Sequence, residues 1–386
     1  MAFPDIAVAV DLTTPPLSIP TVWTDITAKC RSESIRQGRQ RILQRTEAGS
    51  ATVVLDNSAR TFDPTVDPTI RPGNHLRIQA VRNGITYDLF RGFVRSWPQE
   101  WPQKKDAVSR VQAEDLFALM ARFELEGDAI AELGTGAHIE AVLNLYGWPV
   151  TGSTPAGKTW WKLGTAGFSE LGTTTYLGES LRFIDDGTAT IMATTLTGNL
   201  LDHLLNVAET TEGGIFYISP EGEVTFTQRP SPFDPPTATF GDVEGELRYV
   251  ELSMSYDDQQ IYNDVRITRR GDSTQYTAKD QASIDDKYGP RTLTSPYTDT
   301  LFSTAQQAQD AANSLLSRYK DPIYHPVQMV MRPTPDSPLW DQILGARLGK
   351  KITVRRRPPG GGDMIEIDCV VLGVGYEINP SFWEIT

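Results

Sequence analysis

Two cysteines, Cys30 and Cys369, are all that this 386-residue chain contains. A disulfide framework is therefore excluded, and two buried thiols in a chain folded in a reducing cytoplasm are expected. Histidine is almost as scarce. His75, His138, His203 and His325 are scattered, with neither the His-His nor the Cys-Cys spacing of a zinc site, so no metal site is predicted. Surface or hydrogen-bonded imidazoles are expected instead. No apolar run approaches the ~20 residues of a membrane-spanning helix. The opening MAFPDIAVAVDLTTPP has no basic region ahead of its apolar stretch, which argues against a signal peptide. A basic excess is missing too. Lys and Arg number 36 against 49 Asp and Glu, a formal charge of −13. Non-specific wrapping of nucleic acid works by counterion release from a basic surface, and this chain has no such surplus. The densest basic run, KKITVRRR at Lys350–Arg357, is expected to alternate faces along a strand as a solvated or salt-bridged surface.

Signatures of catalysis are equally thin. There is no G-x-S-x-G, and spacing proposes no Ser-His-Asp set. The acidic pairs Asp185-Asp186, Asp257-Asp258 and Asp285-Asp286 lie near turn residues, where solvated loops are expected rather than paired acids. One motif does match. Gly152–Thr159, GSTPAGKT, is a literal phosphate-binding loop pattern. That chemistry needs a buried strand before the glycines and a helix starting at the lysine, so that backbone N–H groups and the helix terminus converge on phosphate. The flanks supply neither. VLNLYGWPV precedes the loop with helical period and a Gly-Trp-Pro break, and TWWKLGTAGFSELGTTT follows it with no helical period. We read the match as chance and the segment as an exposed loop whose Trp160-Trp161 pair packs on its own domain. No cofactor and no catalytic residue are predicted.

What is present is β-rich. Prolines number 26 and glycines 31, punctuating short runs of alternating or continuous apolar residues. Residues 1–118 read as a β-barrel domain of successive strands, with Asn83-Gly84 marking a hairpin. AEDLFALMARFELEG (Ala113–Gly127) has helical period. Residues 119–240 read as a mixed α/β insertion, with helices at Ala137–Tyr146 and NLLDHLLNVAE and a hairpin turning at Pro220-Glu221-Gly222. The Pro-rich PSPFDPP (Pro230–Pro236) is the expected boundary. Residues 241–386 return to strands around one long helix, about 303–319, with Ser303 as its N-cap and Pro322 beyond its end. A second barrel is expected at about 325–386. The fold class predicted is mainly β with an α+β insertion: two tube-like β-barrel modules at the chain ends and a mixed domain between them.

The two ends align with each other. Thr52–Asn57 matches Gln328–Pro333, and the separations Leu55 to Gly73 and Met331 to Gly349 are equal. Strands HLRIQAVR and KITVRRR follow those glycines, then a hairpin, then Gly92 and Gly373, with Trp101 and Trp383 beyond. Two equivalent modules per chain would let three chains present a ring of six.

Several segments carry a resemblance. They are Trp23, Asp25, Ile26 and Thr27; Gly38-Arg39; the strand Glu47–Asn57; Phe62–Pro64; NDVRITRRG; Lys287–Leu293; and a helix ending in LLSRY. Together they resemble minor tail proteins of long-tailed, siphovirus-type bacteriophages of Actinobacteria, which are similar to baseplate hub proteins and the N-terminal region of tail-associated lysins. The resemblance implies a virion structural protein of the tail tip, assembled in the host cytoplasm. It implies a homotrimer closing the tail tube, with a distal tail protein or tube above, tip or fibre proteins below, and the tape measure protein as a further neighbour. DNA would pass through without specific binding, and no enzyme activity is implied. Alternatives are a hexameric distal tail protein, a tip-associated cell-wall hydrolase, and a receptor- or glycan-binding module.

Overall fold

The computed structural model describes residues 3–16, 22–39, 41, 43–103, 106–148, 175–176, 179–180, 182–229, 231, 233–243 and 245–386. The strand order begins β1 (Asp5–Asp11), β2 (Thr24–Asp25), β3 (Cys30–Gly38), β4 (Glu47–Asp56), β5 (His75–Arg82), β6 (Ile85–Ser96), β7 (Gln99–Gln103) and β8 (Asp106–Glu114). The middle holds β9 (Glu124–Ile130), α1 (Thr135–Tyr146), β10 (Thr194–Asn199), α2 (Leu200–Leu205), β11 (Ile215–Ile218) and β12 (Val224–Thr227). Then come β13 (Thr239–Gly241), β14 (Glu251–Ser255), β15 (Asp264–Thr268), β16 (Gln275–Lys279), α3 (Ala305–Tyr319), β17 (His325–Val330) and α4 (Trp340–Leu344). The chain closes with β18 (Lys351–Arg356), β19 (Ile365–Val370), β20 (Gly373–Asn379) and β21 (Phe382–Ile385).

The protein is mainly β, in several sheets. The largest has ten strands in the order β2-β1-β5-β6-β8-β4-β3-β20-β21, with β7 paired to β8. Its last two strands come from the far end of the chain. β20 pairs antiparallel with β3 from Gly373↔Gly38 to Ile378↔Glu33. β18 and β19 sit apart, in a four-stranded sheet with β13 and Leu247–Arg248. Among the described residues the pairing leaves the sheets open; none closes on itself.

Alternation explains the sheet. Along β4, Gly49, Ala51, Val53 and Leu55 are buried while the residues between them face outward, as a period of two requires. The β5–β6 turn has Asn83 at φ 52° and Gly84 at φ 77°, the left-handed pair that suits a two-residue hairpin. Beneath the sheet, α4 inserts Trp340, its ring edge-on to Trp383 at 5.1 Å and to Phe3 at 6.1 Å. The Trp340 Nε1–H donates to the Thr334 carbonyl, 2.9 Å away. The N-terminal core is thus completed by C-terminal residues. A second core gathers α1, α2, β11 and β12, and a third packs α3 on β15 and β16.

Three local expectations change. Ala113–Gly127 is not one helix. β8 runs through Glu114, Phe117–Met120 makes a single helical turn, and β9 follows. Asp115 explains the break, since its carboxylate accepts the N–H groups of Gly49 and Phe117 and stops the strand there. The α3 cap is Thr304 rather than Ser303; its hydroxyl accepts the Gln307 N–H at 3.3 Å. The aligned tryptophans also diverge. Trp383 is 2% exposed and Trp101, at the tip of the β7–β8 hairpin, is 71% exposed. The aligned glycines agree better. Gly73 and Gly349 both hold positive φ, 93° and 80°, before a strand that opens an antiparallel hairpin in each case.

Candidate functional site

The phosphate-loop match Gly152–Thr159, with Trp160-Trp161, lies outside the described residues. Among those described, no three His, Cys, Asp or Glu side chains gather as metal ligands would. His75 is buried, with Nε2 3.0 Å from the Pro15 carbonyl. His325 lies between Gln260 and the Ile323 carbonyl. His138 and His203, 65 residues apart, come together with their Nε2 atoms 3.0 Å apart. Both cysteines are free. Burial pushes the Cys369 thiol up to about 11 and Cys30 higher still, so neither is poised as a thiolate. Asp185 accepts the Gln228 N–H, Asp258 pairs with Arg291, and Asp285-Asp286 lie in a π-helical turn. No pair of these acids shares a site.

The surface that the fold does build is the outward face of the ten-stranded sheet. With Ile35, Ala51, Val53, Val111 and Ala113 turned inward, the opposite face of β3, β4 and β8 carries Ser34, Arg36, Ser50, Thr52, Arg110, Gln112 and Glu114. The register sets Ser34 beside Thr52 and Thr52 beside Gln112. Charges here are matched. Arg31 meets Asp106 at 2.6 Å and Asp56 at 3.3 Å; its donated hydrogen bond holds the Asp106 carboxyl below its ordinary range. Arg95 pairs with Glu114, Arg110 with Glu100 at 3.3 Å, and Arg36 with Glu377 at 3.8 Å. Such exposed pairs add little stability. They do leave a face of hydroxyls, amides and neutralised charge, with no unopposed basic stripe to hold phosphates.

The arginines of the basic run Lys350–Arg357 are neutralised likewise. Arg355 meets Glu366 and Glu246, Arg356 meets Asp242, and Arg357 meets both Asp242 and Glu246. The expected salt-bridged face is what the structure contains. Net acidity lies elsewhere. Residues 119–240 hold 15 acidic and five basic side chains, whereas residues 1–118 hold 13 and 15.

The sheet's two ends are the second feature. One end is β2, only two residues long, with Val22 exposed beside it. At the other, Met331 and Ile385 exchange both backbone hydrogen bonds, and the chain runs back from Met331 into the ribbon β14–β17. That ribbon pairs with no further strand among the described residues. Val250, Tyr256, Ile323, Tyr324 and Val327, on or beside it, are exposed. A two-stranded ribbon is marginal alone in water, and open edges with exposed apolar residues mark places where another chain adds.

Comparison with known proteins places this architecture. No protein-family model matches the chain, and no curated protein matches it in sequence. Solved structures do match in fold. A tail protein from Neisseria meningitidis MC58 superposes with a TM-score of 0.59 at 11% identity, covering 98% of this chain and 95% of that one. The 43 kDa tail protein of prophage MuSo2 from Shewanella oneidensis gives 0.57 at 10% identity, covering 99% and 95%. The chain therefore has the fold of these tail proteins over nearly its whole length.

The paired histidines were the residues that sequence reasoning missed. A signal existed: His138 and His203 both sit on the apolar faces of predicted helices, with Val142 and Leu200.

Proposed function

We propose that this chain is a structural component of a bacteriophage tail, a trimeric hub that closes the end of the tail tube and joins it to tip or fibre proteins. The observation that carries the reading is the fold shared end to end with two tail proteins. Two features of the surface support it. Among the described residues the sheet does not close on itself, ending at the two-residue β2 and at β21, which is bridged only at Ile385, so head-to-tail association of copies would extend the strand pairing and close a ring; barrel closure in this reading belongs to the assembly. The outward face of the sheet, polar with paired charges, suits a wall past which DNA slides without being held. The acidity concentrated in residues 119–240 adds repulsion of phosphate nearby. No helix among the described residues is long and apolar enough to cross a membrane.

Light scattering on the purified chain tests the reading. Three chains per particle supports the hub. Six supports a hexameric distal tail protein instead. A monomer at every concentration removes self-closure by these edges, and imaging of the intact particle then decides where the protein sits. Hydrolysis of purified cell wall by the chain would replace the structural reading with an enzymatic one.

A further inference from the structure

The pair formed by His138 on α1 and His203 on α2 stands in the second core. Both rings are almost fully buried, tilted at 35° with centroids 5.3 Å apart. Only one proton fits between two nitrogens at 3.0 Å. The Nδ1 of His138 is buried with no hydrogen-bond partner. The tautomer that avoids a stranded donor therefore has His138 donating through Nε2–H to the lone pair of His203 Nε2. An added proton has one place to go within that bond, His138 Nδ1, where it makes a buried N–H with no acceptor. A second proton would set two N–H groups head to head, and the rings must part.

Among the described residues no carboxylate acts on either ring. On α1, Glu140 is paired with Arg182 of the strand Arg182–Ile184. On α2, Asp202 is paired with Arg45. In the π-helical turn Asn206–Thr211 and its cap, Glu209 accepts from Thr46 and Phe216. Glu212 there accepts from Thr135, Thr188 and Ala189. On β9, Asp128 takes the Tyr146 hydroxyl, while Glu124 and Glu126 are exposed. The turn Phe117–Met120, the strand β10 and the pairing of Leu133-Gly134 with Thr190-Ile191 bring no charge. Beyond His138 itself, the charged group acting on His203 is Arg270, itself held by Asp299 at 2.5 Å, and its sign opposes protonation.

We propose that His138 and His203 form a proton-released latch that holds α1 to α2 near neutral pH and lets them part in acid, while the ten-stranded sheet stays folded. Burial also holds both imidazoles well below their ordinary value, with the charge on His138 and then Arg270 adding to the shift of His203. The opened form takes up protons at the ordinary imidazole value, near 6.5. Below that value its population rises by up to about tenfold per pH unit for each histidine, until the folded values are reached.

The test uses the full chain. Side-chain NMR of 15N-labelled histidine should show both rings neutral at about pH 5.5, below the ordinary imidazole value. Hydrogen exchange at about pH 7 and about pH 4.5 should show residues 135–146 and 200–211 losing protection at least tenfold more than residues 47–56 and 75–96, after correction for intrinsic rates. The double variant His138→Gln with His203→Gln keeps an amide hydrogen bond but cannot titrate, and should lose that pH dependence. Either His138 or His203 titrating near 6.5 in the folded chain would overturn the latch. So would equal loss of protection in sheet and helices, or acid opening that persists in the glutamine variant.

Discussion

Replacing Glu209 with glutamine removes one charge from the most deeply buried ion pair in the described structure. Glu209 lies in the π-helical turn after α2, its side chain 4% exposed, and faces Arg39, 7% exposed, at 3.4 Å. The carboxylate also accepts the Thr46 hydroxyl, the Thr46 N–H at 3.0 Å and the Phe216 N–H at 3.2 Å. It therefore ties the segment after β3, the π-turn and the start of β11 into one knot. A glutamine amide turned toward Thr46 would set donor against donor, and Arg39 would be left without its counter-charge. Removing one partner of a buried pair costs about 3–5 kcal/mol, and each hydrogen bond to a charged acceptor is worth about 1.5–3 kcal/mol. These overlap in one network and do not add. We expect Glu209→Gln to destabilise by about 3–5 kcal/mol, read as a lowered urea midpoint and as faster exchange of the Arg39–Thr46 amides. Arg39→Met should cost a similar amount. The double variant Arg39→Met with Glu209→Gln should cost far less than the sum, because neither charge is then stranded. Single variants within about 1 kcal/mol of wild type, or strict additivity in the cycle, would refute the reasoning.

The aligned tryptophans should separate in a stability measurement: Trp383→Ala costs about 3–5 kcal/mol by urea unfolding, and Trp101→Ala stays within about 0.5 kcal/mol. Burial pushes the Glu33 carboxyl up to about 7, so its contribution is complete below the unfolded carboxyl value near 4.5 and is lost as pH rises through 7. Glu33→Gln should match wild type at about pH 5 and exceed it by about 1–3 kcal/mol at about pH 9 in parallel denaturation curves; equal stability at both pH values would contradict this. Magnesium and ATP at about 1 mM should leave Tm unchanged, and Lys158→Ala should not alter the oligomer. An ATP-dependent rise in Tm would restore the phosphate-loop reading of Gly152–Thr159, since a ligand that binds only the native state must stabilise it.

Local chemistry was legible where one segment decides its own conformation. The Asn83-Gly84 hairpin, the α1 helix with Gly147 left-handed at φ 68° beyond its end, and the paired face of Lys350–Arg357 all follow from spacing and turn residues. Ala113–Gly127 shows the limit. Its apolar residues fit a helical period, yet the N–H groups that Asp115 binds belong to Gly49 and Phe117, and a partner 66 residues away overrides local propensity. The mainly β composition and the missing nucleic-acid-binding surplus were thus set by the sequence alone. Tertiary structure decided what depends on distant partners: that β20 and β21 complete the sheet begun by β1, and that His138 meets His203. It also decided that acidity and the neutral sheet face occupy different parts of the fold. Hairpin pairing can be read within one window, but the pairing of β3 with β20 and the burial of His138 against His203 join residues that no window of sequence contains together.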